Sequence, residues 1–435
     1  MSPFTIGLLC LGLLMVLLFC KMPVGFAFGV SGIIGIIAIV GLDSGLTLLG
    51  KAVVSNISKE MLISIPLFIL MGYFVLVSEI GVDLYAAANK WLGRMSGGLA
   101  QATTVACAGF AACTGDSMGA SATMSAIAYP VLDKYKYSKE LSTACIAVGG
   151  TLGILIPPSI PMLTYAYLAS VSAGDMFAAG IMPGLLVTFS LMITTAIICT
   201  RKPSLGPKSD EKYTMKEKVN ALLSGGVWCI ISLFLLIIFG LYLGWFAPSE
   251  AGAIGALGSF LITVFRRRLT IKNLKTALEG AAKVSASLFC MTVGALTFQT
   301  TLVLGGFTTK LQAFMTGLDV SPYMILAIII VIWLIMGMFL DQLATQFLTV
   351  PIFAPIVASL GFDLVWFGII AIIVSEIGLL TPPVGMNAYV VSGATKVPSA
   401  VVFKGIFAFL IPLIIVTIIL IFFPDIVLFL PNMMQ

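Results

Sequence analysis

Histidine is absent from the 435-residue chain, and charged residues make up only 9% of it. Without histidine, Ser-His catalysis and most zinc or haem sites lose their usual equipment. The eight cysteines, Cys10, Cys20, Cys107, Cys113, Cys145, Cys199, Cys229 and Cys290, form no C-x-x-C pair and fall almost entirely within apolar runs. They read as small buried hydrophobes, not as a metal cluster. An enzyme is therefore not expected. Nor is any stretch left over for a soluble domain: the chain is 60% hydrophobic, with a mean hydropathy of +1.14, the composition of a polytopic membrane protein. Residues 1–20 lack the basic start of a signal peptide and run directly into a second apolar stretch, so they are read as the first span.

A helix needs about 20 apolar residues to cross a hydrocarbon core of roughly 30 Å. Hydropathy and turn signals place such spans at 3–20, 24–41, 61–80, 140–170, 175–199, 221–243, 249–265, 283–305, 363–393 and 402–422. Two further segments, 99–132 and 323–358, are too long for one crossing and too short for two, and each is interrupted at its middle. The interruptions, CTGDSMGASAT and GMFLDQLATQF, are polar and hold one aspartate each. Lipid does not tolerate such backbone, so both segments are expected to be re-entrant hairpins whose tips are buried in protein or line a wet cavity. The segment GLDSGLTLLGKAVVSNISKEM, ahead of the third span, reads as an interfacial amphipathic helix bracing a scaffold.

Basic residues in short loops favour the cytoplasmic side. If the 201–218 loop is cytoplasmic, every basic residue except Lys51, Lys59 and Lys310 falls on that side, and both termini lie outside. The net charge of +5 is then an orientation signal, and RRRLTIKNLK is a topology determinant with anionic lipid as a second reading. Nucleic-acid binding would need a continuous basic face, and these charges are dispersed among loops.

Two Pro-Pro pairs repeat almost verbatim, in GILIPPSIPML from Gly153 and GLLTPPVGMNA from Gly378. A shift of 225 superposes Gly153 on Gly378, Pro157 on Pro382, Asp116 on Asp341 and Pro130 on Pro355 without a gap. Each half then holds five spans and a hairpin, and an odd number of crossings turns the second copy upside down. The expected fold is an all-α membrane protein of two inverted repeats, 1–200 and 221–435, joined by a cytoplasmic linker at 201–220.

Proline within a helix removes an N–H and clashes with the preceding turn, so a Gly-flanked Pro-Pro pair frees carbonyls from the backbone ladder. Freed carbonyls and nearby hydroxyls suit a hard cation such as sodium. The candidate ligands in the first repeat are Asp116, Ser117, Ser121, Thr123 and the backbone of Gly149, Gly153 and Pro157; in the second they are Asp341, Thr345, Thr349, Gly378 and Thr381, with Asn387 nearby. Half-helix N-termini offer positive dipole ends to an anionic substrate. Asp116 and Asp341 read as functional intramembrane carboxylates, as helix caps, or as both. Glu376 stands where the first copy has Thr151; it reads as a coupling or gating group, or as a hydrogen-bonded packing residue.

The stretches TLGILIPPSIPMLTYAYLASVSAGDMFAAGIMPG and TVPIFAPIVASLGFDLVWFGIIAIIVSEIGLLTPPVGMNAYV resemble the large membrane subunit of tripartite ATP-independent periplasmic (TRAP) transporters. The likeness covers essentially the whole chain. It implies an elevator-type ion-transporter architecture, with a scaffold and a mobile domain built on two hairpins and two broken helices. It further implies sodium-driven uptake of an organic acid, such as a dicarboxylate or sialic acid, in the bacterial inner membrane. A periplasmic binding protein would deliver the substrate, and a separate small four-helix membrane subunit would accompany the chain. Substrate contacts are expected at Ser125, Ser159, Glu376 and Asn387. Three alternatives stay open: a one-component dicarboxylate symporter, proton coupling through the three carboxylates, and a channel or structural subunit without a transport cycle.

Overall fold

The computed structural model describes residues 1–57, 59–209, 211–223, 225–317 and 320–434. These form 21 α-helices and one short 3-10 turn, with no strand among the described residues. The first half runs α1 (Pro3–Phe19), α2 (Val24–Val40), α3 (Leu42–Ile57), α4 (Glu60–Val77), α5 (Ile80–Leu92), α6 (Gly98–Thr114), α7 (Ser117–Lys134), α8 (Lys139–Leu155), α9 (Ile160–Ala169) and α10 (Ala173–Arg201). After α11 (Met215–Leu222), the second half runs α12 (Gly225–Tyr242), α13 (Pro248–Phe265), α14 (Ile271–Leu304), α15 (Phe307–Thr316), α16 (Pro322–Phe339) and α17 (Gln342–Ser359). It continues with α18 (Leu364–Leu380), α19 (Met386–Thr395), α20 (Ser399–Phe422) and α21 (Pro424–Met434).

Shifted by 225, the bounds of α7 and α8 become those of α17 and α18, and their capping residues coincide as well. Asp116 and Asp341 cap α7 and α17, while Ser138 and Asp363 cap α8 and α18, each accepting a bond from an orphan backbone N–H of the first turn. The correspondence continues outward. Under the same shift α2 falls on α13, α5 on α15, and α3 on the opening turns of α14.

Two sets of packed helices result. In the first, α2 of one half lies along α14 of the other, and α13 lies along α4. Apolar lipid provides little drive for apolar helices to associate, so small residues that admit close backbone contact decide such pairs. A Cβ on Gly294 would sit 2.1 Å from the Gly25 carbonyl oxygen, and one on Gly32 would sit 2.5 Å from the Phe298 nitrogen. The Thr301 hydroxyl bridges the same pair by donating to the Gly32 carbonyl at 2.8 Å. In the second set, α6 and α7 clasp α8, α16 packs on α18, and the inner arms cross between halves, α7 against α19 and α17 against α9.

Among the described residues seven helices, namely α10, α12, α13, α14, α16, α17 and α20, are long and apolar enough to cross alone; counting the bent pairs α4–α5 (66°) and α8–α9 (43°) as single spans makes nine. The apolar helices α1, α2 and α18 stop at 17 residues each. The expected span 61–80 ends earlier, at Val77, and the residues that follow it, outside every expected span, form the helix α5. Arg266 and Arg268 hold this elbow: Arg266 pairs with Asp83 at 2.7 Å and donates to the Ser78 carbonyl, and Arg268 pairs with Glu79 at 2.6 Å. The basic run therefore has a structural task beyond topology. The span expected at 283–305 is the end of a 34-residue helix, because Thr270 caps an amphipathic lead that propagates into it. The 99–132 and 323–358 segments are helix pairs broken at Gly115–Asp116 and Leu340–Asp341; against the expectation that 323–358 is too short for two crossings, α16 and α17 have 18 residues each and are each long and apolar enough to cross.

Candidate functional site

A cavity of about 340 Å³ lies where α4 and α14 face both helix-pair tips. Ile69, Gly72 and Tyr73 of α4 and Ser287 and Met291 of α14 form one wall; Thr114 to Gly119, Thr123 and Asp341 to Leu343 form the other. The start of α9, at Ile160 and Pro161, also reaches it. The wall contact is close: a Cβ on Gly72 would stand 3.0 Å from the Thr114 carbonyl oxygen.

At the first tip Gly115 takes φ +61, which an L side chain adopts only under strain, and its carbonyl accepts from the Ile160 N–H at 3.3 Å. The turn brings Asp116 onto the N-terminus of α7, where it accepts from the Gly119 N–H at 2.7 Å and the Met118 N–H at 3.4 Å. Ser117 follows, and its hydroxyl links the halves. It accepts from the Asn387 amide at 2.6 Å and donates to Glu376 at 3.4 Å. At the second tip, Asp341 accepts from the Ala344 N–H at 2.8 Å.

Most serine and threonine hydroxyls of the spanning helices fold back onto their own carbonyls, as Thr188, Thr292 and Thr417 do on Gly184, Leu288 and Leu413. Several predicted site residues behave the same way. Ser125 donates to Ser121, Thr349 to Thr345, Thr381 to Ile377 and Ser159 to Ile154, the last two taking up carbonyls released by the helix breaks. A different group is buried with atoms that make no hydrogen bond among the described residues: Ser121 Oγ, Thr345 Oγ1, Glu376 Oε1, Asn387 Oδ1 and both amide atoms of Gln342 and Gln346. Orphan buried polar atoms are uncommon in folded proteins and call for an explanation.

The structure thus brings Asp116, Ser117, Thr123 and Asp341 to one cavity, and joins Glu376 and Asn387 to it through Ser117. Gly153 packs on the Asp116 carbonyl, with an ideal Cβ at 3.0 Å, and Gly149 packs on Cys107. Pro157 is buried in the first helix break, and Gly378 in the last turn of α18 ahead of the second, against Gly337 of α16. Sequence reasoning missed Gln342 and Gln346. The 225 shift contained the signal, since it lays them on Ser117 and Ser121. All eight cysteines are free.

Helix pairs broken at polar tips, paired with broken helices around an internal cavity, are an architecture of multi-pass membrane transporters. Residues 11–426 match the model of the "Tripartite ATP-independent periplasmic transporter, DctM component" family, and the chain belongs to that family. It is similar to the C4-dicarboxylate TRAP transporter large permease protein DctM of Pseudomonas aeruginosa, at 33% identity over 85% of this chain and 86% of that protein. The sialic acid TRAP transporter large permease SiaM of Vibrio cholerae is 28% identical over 96% of each chain. The 2,3-diketo-L-gulonate large permease YiaN of Escherichia coli is 29% identical over 87% of this chain and 88% of its own. In fold the chain is similar to the YdaH transporter of Alcanivorax borkumensis, with a TM-score of 0.63 at 15% identity, over 88% of this chain and 89% of that one.

Proposed function

We propose that this TRAP large permease carries out sodium-driven uptake of an organic acid, a C4-dicarboxylate, sialic acid or a related carboxylate, by an elevator motion. In this reading α2, α4, α13 and α14 form the scaffold, and the two helix pairs with α8, α9, α18 and α19 move against it. The halves 1–200 and 221–435 act as inverted repeats, with 201–220 cytoplasmic and both termini periplasmic in a bacterial inner membrane. A periplasmic binding protein delivers the acid, and a small four-helix subunit completes the membrane complex.

One observation carries the reading: a cavity between scaffold and tips, lined by Asp116, Ser117, Thr123, Asp341 and Gln342, with buried hydroxyls that lack a partner among the described residues, Ser121 and Thr345, one turn further along the same two helices. Hard cations take oxygen ligands, and oxygens outnumber the two glutamine amide nitrogens in the orphan set around the tips. Sodium would be held by Asp116, Ser117, Ser121 and Thr123 with carbonyls of Gly149, Gly153 and Pro157, and by Asp341, Thr345 and Thr349 with Gly378 and Thr381. Bound there, it would supply positive charge beside an anionic substrate. Gly72, lying against the Thr114 carbonyl, marks the sliding surface.

The test is uptake into proteoliposomes holding the chain with its small subunit, supplied with its binding protein and radiolabelled C4-dicarboxylate or sialic acid. Accumulation that needs an inward sodium gradient supports the proposal. Uptake that follows a pH gradient at zero sodium, or that the permease achieves with neither partner, would replace it with the proton-coupled or one-component alternative.

A further inference from the structure

Glu376 is a buried carboxylate that the first repeat does not share. Thr151 fills its place in the first half, and that hydroxyl is satisfied by the Val148 carbonyl at 2.7 Å. The fold therefore does not require a carboxyl at this position. Glu376 is nonetheless 3% exposed, and no basic side chain pairs with it among the described residues. A buried carboxylate without a counter-charge is costly.

Three groups meet at one hydroxyl. Ser117 donates its only proton to Glu376 and accepts from the Asn387 amide, so that each of these two side chains keeps one bare oxygen, Glu376 Oε1 and Asn387 Oδ1. Asn387 is fully buried. Ser117 also lines the cavity. A proton donated to Glu376 is not available to an anion in that cavity, and the carboxylate repels the same anion.

We propose that Glu376 and Asn387 hold a monovalent cation through these two oxygens, and that the cation both cancels the carboxylate and frees Ser117 to bind an anionic substrate. Glu376 is then the residue that makes anion occupancy depend on cation occupancy. The inference rests on the sodium-coupled reading above and adds side chains of α18 and α19 to the tip residues named there.

Sodium alone is the probe. The unfolding midpoint of the purified chain is followed as sodium chloride replaces choline chloride at constant ionic strength, since a ligand that binds only the folded state raises it. The wild type is expected to show a saturable, sodium-specific rise. Glu376→Gln is expected to match or exceed the wild-type midpoint in choline, because an uncompensated charge is gone, and to need at least about tenfold more sodium for the same rise. Asn387→Ala is expected to shift the sodium requirement in the same direction, and it decides the matter should Glu376→Gln fail to fold. A wild-type response retained unchanged in the variants overturns the inference and leaves sodium coupling standing. A wild type indifferent to sodium overturns both.

Discussion

The two broken helix pairs share a register but not a chemistry. At the first tip a left-handed glycine, Gly115, makes the turn; at the second, Leu340 makes it with extended backbone at φ −112. Asp116 caps two N–H groups and Asp341 one. Ser117 is bonded to the opposite half, whereas its counterpart Gln342 has no partner for either amide atom among the described residues. The arms differ too: 72% of α17 is buried against 28% of α16, whereas in the first pair the enclosed arm is the leading one, α6, with 13 of 17 residues buried against 7 of 18 in α7. Duplication preserved the placement of helix ends and caps, and the groups that can hold a ligand diverged on that shared frame.

Exchanging the two turns is the severest way to break this comparison. Gly115→Leu forces a side chain into the left-handed region and toward the Pro158 carbonyl, 2.8 Å from an ideal Cβ, with an expected loss of about 2 to 4 kcal/mol in detergent unfolding. Leu340→Gly should lose only about 1 kcal/mol. Removal of the caps comes next. Asp116→Ala should cost about 1 to 2 kcal/mol and Asp341→Ala about 1, by the same measurement.

The unpartnered amides sharpen the contrast in the opposite direction. Gln346→Met is expected to leave stability unchanged or raise it by up to about 1 kcal/mol, since an orphan polar group is removed. Its proteoliposome uptake should nevertheless fall roughly tenfold, the value of about one ligand hydrogen bond. A stability loss without an uptake loss would make Gln346 a packing residue. The smallest effects belong to the elbows: Arg268→Ala, which removes an exposed pair with Glu79, should cost less than about 1 kcal/mol. Arg266→Ala should cost more, because a bond to the Ser78 carbonyl goes with the Asp83 pair.

Much of this was legible in the residues. Hydropathy and the 225 shift placed the spans, both tip interruptions and the two Pro-Pro breaks, since these follow from local apolarity and from proline's missing N–H. The α5 and α15 helices escaped because they are short and amphipathic, and a window tuned to about 20 apolar residues passes over them. At the site, the aspartates and Ser117 were legible as polar residues at membrane depth. Which hydroxyls stand free was not: Thr349 and Thr345 differ only in whether a carbonyl one turn back lies within reach, and that depends on rotamer and packing. Gln342 and Gln346 were overlooked because neutral amides carry a weaker signal than carboxylates, although the repeat register pointed to them.

The short helices α1 and α2 also bear on the membrane itself. At 17 residues each they measure about 25 Å, below the roughly 30 Å of an average hydrocarbon core, and they expose Leu8, Val16, Phe26 and Ile33 on their outer faces. Where lipid meets this edge, thinning to cover them would cost a fraction of a kcal/mol for each ångström of mismatch. Bilayer thickness thereby becomes a variable of the protein's working state, and reconstitution in shorter-chain lipids should favour whichever conformation keeps that edge thinned.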